Sequence, residues 1–119
     1  MLGLGTEHIY YFYLSAVDMR KGFNGLSGLV YEHIEQVKGE NVVYAFINKQ
    51  KDKLKLLHWQ SGGFVLYYKR LEKGIFEFPK YDIKEGLIVL SYTEMIMILD
   101  GINIVNIKKN SRYLSPKKS

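Results

Sequence analysis

The chain has 119 residues and a hydrophobic fraction of 47%, which suffice for one globular domain and exclude a disordered protein. Cysteine is absent, so disulfides and thiolate zinc sites are excluded, and no apolar run reaches the roughly 18 residues of a membrane span. The N-terminus lacks the basic and apolar regions of a secretory signal. We therefore expect a cytoplasmic protein with no membrane partner.

The net charge of +5 is unevenly distributed along the chain. Seven basic and two acidic residues lie between Lys49 and Lys73, and five basic residues with no acidic one lie between Lys108 and Ser119. Clustered cations suit a phosphate backbone, because each neutralised phosphate releases counterions. The same pattern is compatible with a solvated strand face whose lysines prevent edge pairing.

The first predicted strand covers Ile9 to Leu14, whose nearly continuous apolar character suits a strand covered on both faces. Its tyrosines are either core residues, which we prefer, or hydroxyls presented at a surface. A helix is then expected to begin after Ser15 or Asp18, either of which can act as N-cap, and to run to about Val37. The apolar residues of this helix recur every three or four positions, at Met19, Phe23, Leu26, Val30, Ile34 and Val37.

Three glycines, Gly22, Gly25 and Gly28, fall inside this predicted helix, where each costs roughly 1 kcal/mol relative to alanine. We interpret them as a groove for close packing, either by another element of the domain, which we prefer, or by a partner or nucleic-acid backbone. Arg20 and Lys21 fall in the predicted first turn, where cations are unfavourable against the helix dipole. They either hold a phosphate there or are simply solvated.

Strand patterns dominate the middle of the chain. Val42 to Asn48 is predicted as a strand, followed by a polar turn. Lys53 to Leu71 is predicted as a β-hairpin, because apolar and polar side chains alternate in its first half and Ser61-Gly62-Gly63 can supply positive φ. Ile75 to Phe78 is predicted as a short strand that completes an antiparallel meander of four, and Leu87 to Leu90 is compatible with another short strand.

A second helix is predicted after Ser91, because Ser91 and Glu94 have the spacing of a capping box. Asp100-Gly101 should end it. Ile102 to Ile107 is then either a short strand or an extension packed on the domain.

The predicted fold class is α+β. It consists of an antiparallel sheet of about five strands in β-α-β-β-β-β-α order, with two helices, the longer one packed on one face. Residues 1–107 are expected to form a single domain. Residues 108–119 are expected to form a basic, mobile tail.

The predicted hairpin is strongly basic, since no acid occurs between Lys53 and Leu71. Combined with the start of the first helix, it yields the predicted phosphate contacts, which are Arg20, Lys21, Lys53, Lys55, Lys69 and Arg70. The aromatic neighbours expected to stack or pack are Trp59, Tyr67 and Tyr68.

No catalytic or metal site is predicted. Four acids could in principle converge on metal ions, but each has a structural reason to occur. Asp18 is a candidate helix cap and Asp52 a turn residue. Glu94 is a capping partner and Asp100 ends a helix. The three histidines, His8, His33 and His58, lack close metal-ligand spacing. His58 is expected to be a packed or solvent-edge residue rather than a ligand. No phosphate loop or dinucleotide fingerprint occurs, so we expect no cofactor and no small-molecule substrate.

Three blocks of the sequence together resemble a known family. They are Ser15 to Val30 (SAVDMRKGFNGLSGLV), Asn48 to Pro79 (centred on KLKLLHWQSGGFVLYYKRLEKGIFEFP) and Ser91 to Ile104 with its DGI ending. The chain resembles the second-frame accessory protein of insertion-sequence family sixty-six, called TnpB or Orf2-like, which is unrelated to the RNA-guided nuclease of the same name. The segments DMRKGF and YKRLE match motifs of the family. KLLHW occupies the position at which the family has an LLW-type run. After DMRKGF the family usually has Asp-Gly, where this chain has Asn24-Gly25.

This resemblance implies an accessory protein of a bacterial mobile element, encoded beside a larger transposase and associated with transposition. We expect a non-enzymatic accessory protein whose partners are DNA, the transposase of the same element, or both. The charge distribution predicts that the hairpin contacts DNA or the acidic surface of a transposition complex. The rival hypothesis is a protein–protein adaptor that docks on the transposase through Trp59 and the tyrosines, with no direct DNA contact. A metal-dependent nuclease subunit ranks last.

Overall fold

The computed structural model describes residues 4–31, 41–82 and 85–100. They form β1 (Ile9–Tyr13), α1 (Phe23–Tyr31), β2 (Val42–Ile47), β3 (Lys53–Gln60), β4 (Gly63–Arg70), β5 (Leu87–Leu90) and α2 (Tyr92–Asp100). This is the α+β class and the element order that the sequence predicts. No helix in these ranges is long and apolar enough to cross a membrane.

The strands form one sheet in the order β4-β3-β2-β1-β5. β1 and β2 are parallel, with Ile9 opposite Val42, whereas the other three pairs are antiparallel. The sheet is therefore mixed, and the prediction of a purely antiparallel sheet needs this correction. The reason is the α1 segment, which carries the chain back along the sheet, as a parallel neighbour requires.

The fifth strand is Leu87–Leu90, which pairs with β1, and the predicted strand at residues 75–78 was wrong. That segment lies across the α2 side of the sheet without joining it. Its aromatic residues are used for packing instead: Phe76 is fully buried, and the Phe78 ring stacks on Phe12 with a centroid distance of 4.3 Å. Apolar alternation here reflects a packed extended segment rather than a strand.

α1 begins at Phe23, so its predicted start after Ser15 or Asp18 was wrong. The chain before the helix forms a loop beside the sheet instead. Buried Val17 donates its N–H to the Ile47 carbonyl, at 2.9 Å, which holds this stretch beside the end of β2.

The glycines around α1 are not sites of close packing within the described residues. A Cβ added at Gly22 or Gly28 would meet no heavy atom within 4 Å, and one at Gly25 would approach the Lys21 side chain at 3.1 Å. Our preferred interpretation, a groove filled by another element of the domain, is therefore wrong for the described part of the chain. The predicted helix end near Val37 lies outside the described residues.

Each helix covers one face of the sheet. Leu26 and Val30 of α1 are fully buried on one face, and Met95 and Ile98 of α2 are fully buried on the other. Because both faces are covered, the central strands are apolar on both sides, as the continuous apolar character of the first strand predicts. Two of the three β1 tyrosines, Tyr10 and Tyr13, are buried core residues, as we preferred, and Tyr11 is partly buried.

The β3–β4 hairpin is confirmed. Its strands pair from Lys53 opposite Arg70 to Gln60 opposite Gly63. The two central loop residues, Ser61 and Gly62, have φ values of 50° and 83°, and positive φ at both positions is what a type I′ turn requires.

The start of α2 is the predicted capping box. The Ser91 N–H donates to Glu94 Oε1 at 2.9 Å, and the Glu94 N–H donates to Ser91 Oγ at 3.0 Å. Residues 102–107 and the basic segment 108–119 lie outside the described residues.

Candidate nucleic-acid interface

A cleft of about 630 Å³ opens at one end of the sheet. Its walls are the β1–α1 loop at residues 16–20, the β2–β3 turn at residues 48–50, Lys53 and Tyr68. β1 and β2 are parallel, so the loops that follow them lie at the same end of the sheet. Ligands of open α/β sheets bind at that end of parallel strands, and the DMRKGF block supplies one wall here.

The β1–α1 loop is structured by Asp18. Its Oδ1 accepts the N–H of Arg20 at 2.9 Å, and its carbonyl accepts the N–H of Lys21 at 3.1 Å. The guanidinium of Arg20 pairs with the carboxylate through an Nη2–Oδ2 distance of 2.7 Å, and this hydrogen bonding lowers the pKa of Asp18 to about 2. The Arg20 side chain is nevertheless 91% exposed, so it remains accessible to a ligand from solvent.

The β2–β3 turn is organised by Asn48, a buried residue that the sequence analysis placed at the end of a strand without assigning it a role. Its Oδ1 accepts the N–H groups of Asp52 and Lys53 at 3.0 and 2.9 Å. Its Nδ2 donates to Asp52 Oδ1 and Gln50 Oε1 at 2.7 and 3.2 Å, and the first of these bonds lowers the pKa of Asp52. Asparagine at the end of a strand, before a lysine-rich turn, was the available signal.

Lys55 joins the hairpin to the β1–α1 loop. It is only 6% exposed, and its Nζ donates to the carbonyls of Met19 and Lys21 at 2.8 and 2.9 Å. The same ammonium lies 4.7 Å from the centroid of the Tyr68 ring. Two of its hydrogen bonds are therefore already made inside the protein, and its main role here is to hold the loop against the sheet.

Lys69 lies on the opposite face of the sheet. Its strand partner is Leu54, whereas the partner of Lys55 is Tyr68, so the two lysines project to different sides. Lys69 Nζ donates to the carbonyl of Leu99 at 2.6 Å, near the C-terminal end of α2, where a cation is favourable. The six predicted phosphate contacts consequently do not form one surface.

The remaining hairpin cations lie beside the cleft. Lys53 and Arg70 are opposite each other on the α1 face. Each has an acidic neighbour, since Lys53 Nζ is 3.9 Å from Asp52 Oδ1 and Arg70 Nη2 is 2.9 Å from Glu72 Oε2. Lys49, which lines the cleft but was absent from the predicted contacts, has no acidic partner among the described residues.

The three predicted aromatic contacts also separate. Tyr68 lines the cleft and is 51% exposed. Tyr67 is partly buried on the α2 face. Trp59 contacts Phe64 edge-on, at a centroid distance of 4.9 Å, near the hairpin turn, roughly 20 Å along the strand from Lys53.

The two described histidines contact each other. The rings of His8 and His58 meet edge-on at 4.9 Å, and His8 Nδ1 accepts the N–H of Gly5 at 3.1 Å. Within residues 4–31, 41–82 and 85–100, no group of three histidine, cysteine or acidic side chains is placed to hold a metal ion. His33 lies outside these ranges.

A comparison with known protein families identifies the family of this chain. The model of the family described as IS66 Orf2 like protein matches residues 8–109. The chain belongs to the IS66 Orf2-like family. Among curated proteins, this IS66 Orf2-like chain is 31% identical over 93 residues to "Uncharacterized protein y4jC" of Sinorhizobium fredii (strain NBRC 101917 / NGR234), and the match covers 78% of each protein. No solved structure gives a significant match.

Family membership confirms the resemblance and associates the chain with insertion sequences and transposition. The IS66 Orf2-like proteins are accessory proteins of these elements and are not known as enzymes. The match includes both walls of the cleft, because residues 16–20 and 48–50 fall within it.

Proposed function

We propose that this IS66 Orf2-like protein is a non-enzymatic accessory factor, acting in the bacterial cytoplasm, that contacts DNA phosphates with the cations around the cleft. We call these cations the basic rim: Arg20, Lys21, Lys49, Lys53 and Arg70. The observation that carries the proposal is that Arg20, Lys49 and Lys53 line one cleft although they come from distant parts of the sequence. Arg70 is the strand partner of Lys53, and Lys21 follows Arg20 in the β1–α1 loop. Phosphate contacts from such a set position a protein on DNA without reading its sequence.

The ion pairs of the basic rim do not oppose this role. Arg20–Asp18 and Arg70–Glu72 are exposed pairs, and exposed pairs contribute little to stability because water and salt screen them. A phosphate can therefore compete for either guanidinium at little cost. Lys55 and Lys69 are among the phosphate contacts that the sequence predicts, but we now propose a structural role for both. Lys55 holds the β1–α1 loop and Lys69 contacts the end of α2, so neither ammonium extends into solvent.

The test is a titration of the full chain against fluorescent duplex DNA, with and without the element's end sequence, over a series of salt concentrations. Replacing Arg20 and Lys53 by glutamine should weaken binding and reduce the slope of log K against log[salt] by about 1.8, or 0.9 for each lost phosphate contact. The matched control replaces Lys73 and Lys80, two exposed lysines that do not line the cleft, and should change the slope much less. Equal losses in both variants would refute the basic rim as the contact site.

A second candidate, the protein–protein adaptor, is favoured by apolar surface away from the cleft. Phe23 and Tyr31 of α1 are about half exposed, and the Trp59–Phe64 contact lies near the hairpin turn on the same face of the sheet. Aromatic anchors of this kind dominate protein interfaces. Capture of the transposase that survives high salt and is lost on replacing Trp59 would favour the adaptor over DNA binding.

A further inference from the structure

We propose that the cleft receives one unpaired nucleotide of a DNA strand, with its base against the Tyr68 ring and its phosphate on the basic rim. This inference rests on the proposed function, because it presupposes that DNA is the ligand. The inference goes beyond the proposed function by stating which form of DNA the site selects. Duplex DNA would contact only the basic rim, whereas a strand with unpaired bases would also fill the cleft.

The size and lining of the cleft suit a single nucleotide. Its volume of about 630 Å³ falls within the roughly 300 to 1,000 Å³ of small-ligand sites. That volume is far too small for a double helix. The apolar part of the lining comes from Ala16, Val17 and Met19, and the aromatic part comes from Tyr68, which is the mixture that a planar base requires.

Tyr68 is placed as a stacking platform. The Lys55 ammonium at 4.7 Å from the ring centroid fixes the ring by a cation–π contact, and that ammonium is itself fixed by two loop carbonyls. About half of the Tyr68 surface remains open to solvent. A half-exposed aromatic ring held in one orientation loses little entropy when a base stacks on it, and such stacking is tolerant of base identity.

One polar group of the wall is oriented for a base edge. Gln50 accepts a hydrogen bond from Asn48 Nδ2 at its Oε1, at 3.2 Å, which directs the carboxamide. Its Nε2 donor makes no hydrogen bond within the described residues and lies on an exposed side chain of the lining. A carbonyl or ring-nitrogen acceptor of a base is the complementary group.

The charges of the lining place the phosphate. Arg20, Lys49 and Lys53 contribute three positive charges and Asp18 one negative charge, so the lining carries a net charge of +2. A neutral base can occupy the apolar interior while its phosphate remains among these cations at the mouth. This arrangement favours a nucleotide within a strand, whose neighbouring phosphates reach Lys21 and Arg70.

The experiment compares a fluorescent single strand of mixed sequence with the same strand annealed to its complement, using the full chain at moderate salt. We expect the single strand to bind on the order of tenfold more tightly than the duplex. Tyr68→Ala should remove most of that preference, since loss of one stacked base weakens binding on the order of tenfold, and it should weaken duplex binding much less than single-strand binding. Tyr68→Phe, which keeps the ring, should retain the preference.

Tyr31→Ala is the matched control, because Tyr31 is 48% exposed and does not line the cleft. A second readout, quenching of 2-aminopurine in the strand by the wild-type protein, reports stacking without any variant. Equal binding of single strand and duplex would overturn the inference and leave the proposed function standing, whereas absence of binding to both would overturn both. A free mononucleotide that binds as tightly as the strand would also overturn the inference.

Discussion

Replacing Lys55 by methionine tests whether this lysine is a structural tie. Methionine keeps most of the apolar stem but cannot donate to the carbonyls of Met19 and Lys21, which Lys55 Nζ reaches at 2.8 and 2.9 Å. Hydrogen bonds to a charged group are worth about 1.5 to 3 kcal/mol each. Because the loop carbonyls can partly regain water and the buried ammonium no longer pays a desolvation cost, we expect a net loss of about 2 kcal/mol.

Urea unfolding of the full chain measures this loss as a lower midpoint at an unchanged m-value. The same destabilisation should lower Tm by about 6 to 10 °C for a chain of this size. The matched control is Lys53→Met, two residues earlier on the same face of β3. Its side chain is 34% exposed and makes only a 3.9 Å ion pair, so we expect a change below about 0.5 kcal/mol.

A second measurement separates structure from DNA binding. Under conditions where Lys55→Met is fully folded, the salt dependence of its DNA binding should equal that of the wild type, because Lys55 makes no phosphate contact in our proposal. If both lysine variants unfold at the same urea concentration, the carbonyl bonds contribute nothing. If Lys55→Met also lowers the salt slope by about 0.9, Lys55 is a phosphate contact after all, and our assignment is refuted.

Two further predictions concern Lys69 and Asp18. Lys69→Met should lose the bond to the Leu99 carbonyl and cost about 1 kcal/mol in urea unfolding, more than Lys73→Met at an exposed position; equal midpoints would contradict it. The pKa of Asp18 is lowered from 3.8 to about 2 by its bonds to Arg20, so its stabilising effect is complete above pH 4 and is lost as the pH falls toward 2. An NMR titration should find that midpoint, and Arg20→Gln should raise it; a wild-type midpoint near 3.8 would refute the loop geometry.

The elements that the sequence predicts correctly are those fixed by local chemistry. The hairpin follows from alternation and from Ser61-Gly62, and the start of α2 follows from the Ser91–Glu94 pair. Both depend on residues within a few positions of one another. Hydrogen bonds of this range are encoded in short stretches, so single-sequence reasoning can find them.

The errors concern features that depend on distant partners. Ile75–Phe78 and Leu87–Leu90 have similar apolar character, but only the second finds a free edge of the sheet beside β1. The start of α1 was misplaced because Val17 is bound by Ile47, a partner 30 residues away. Neither propensity nor periodicity contains that information.

The candidate site shows the same division. Lys53 and Lys55 have equivalent positions in the alternation, yet one is partly exposed and the other is buried beneath a loop from earlier in the chain. Sequence alternation predicts which face a side chain occupies but not whether another segment covers that face. Tyr68 was named among the contacts, whereas Asn48 and Lys49 acquire their importance only when the two loops meet.

The division of the cations by environment sets an upper limit on the number of phosphates that the basic rim can contact. Of the seven basic residues between Lys49 and Lys73, Lys55 and Lys69 donate to backbone carbonyls inside the protein. The five cations of the basic rim can neutralise at most five phosphates, which corresponds to a salt slope of about −4.5 on duplex DNA. A steeper slope for the full chain would therefore require cations outside the basic rim, either exposed lysines such as Lys73 and Lys80 or the five basic residues between Lys108 and Ser119. If those five residues are the source, their substitution would flatten the slope to the value of the basic rim, while leaving any preference for unpaired bases in place.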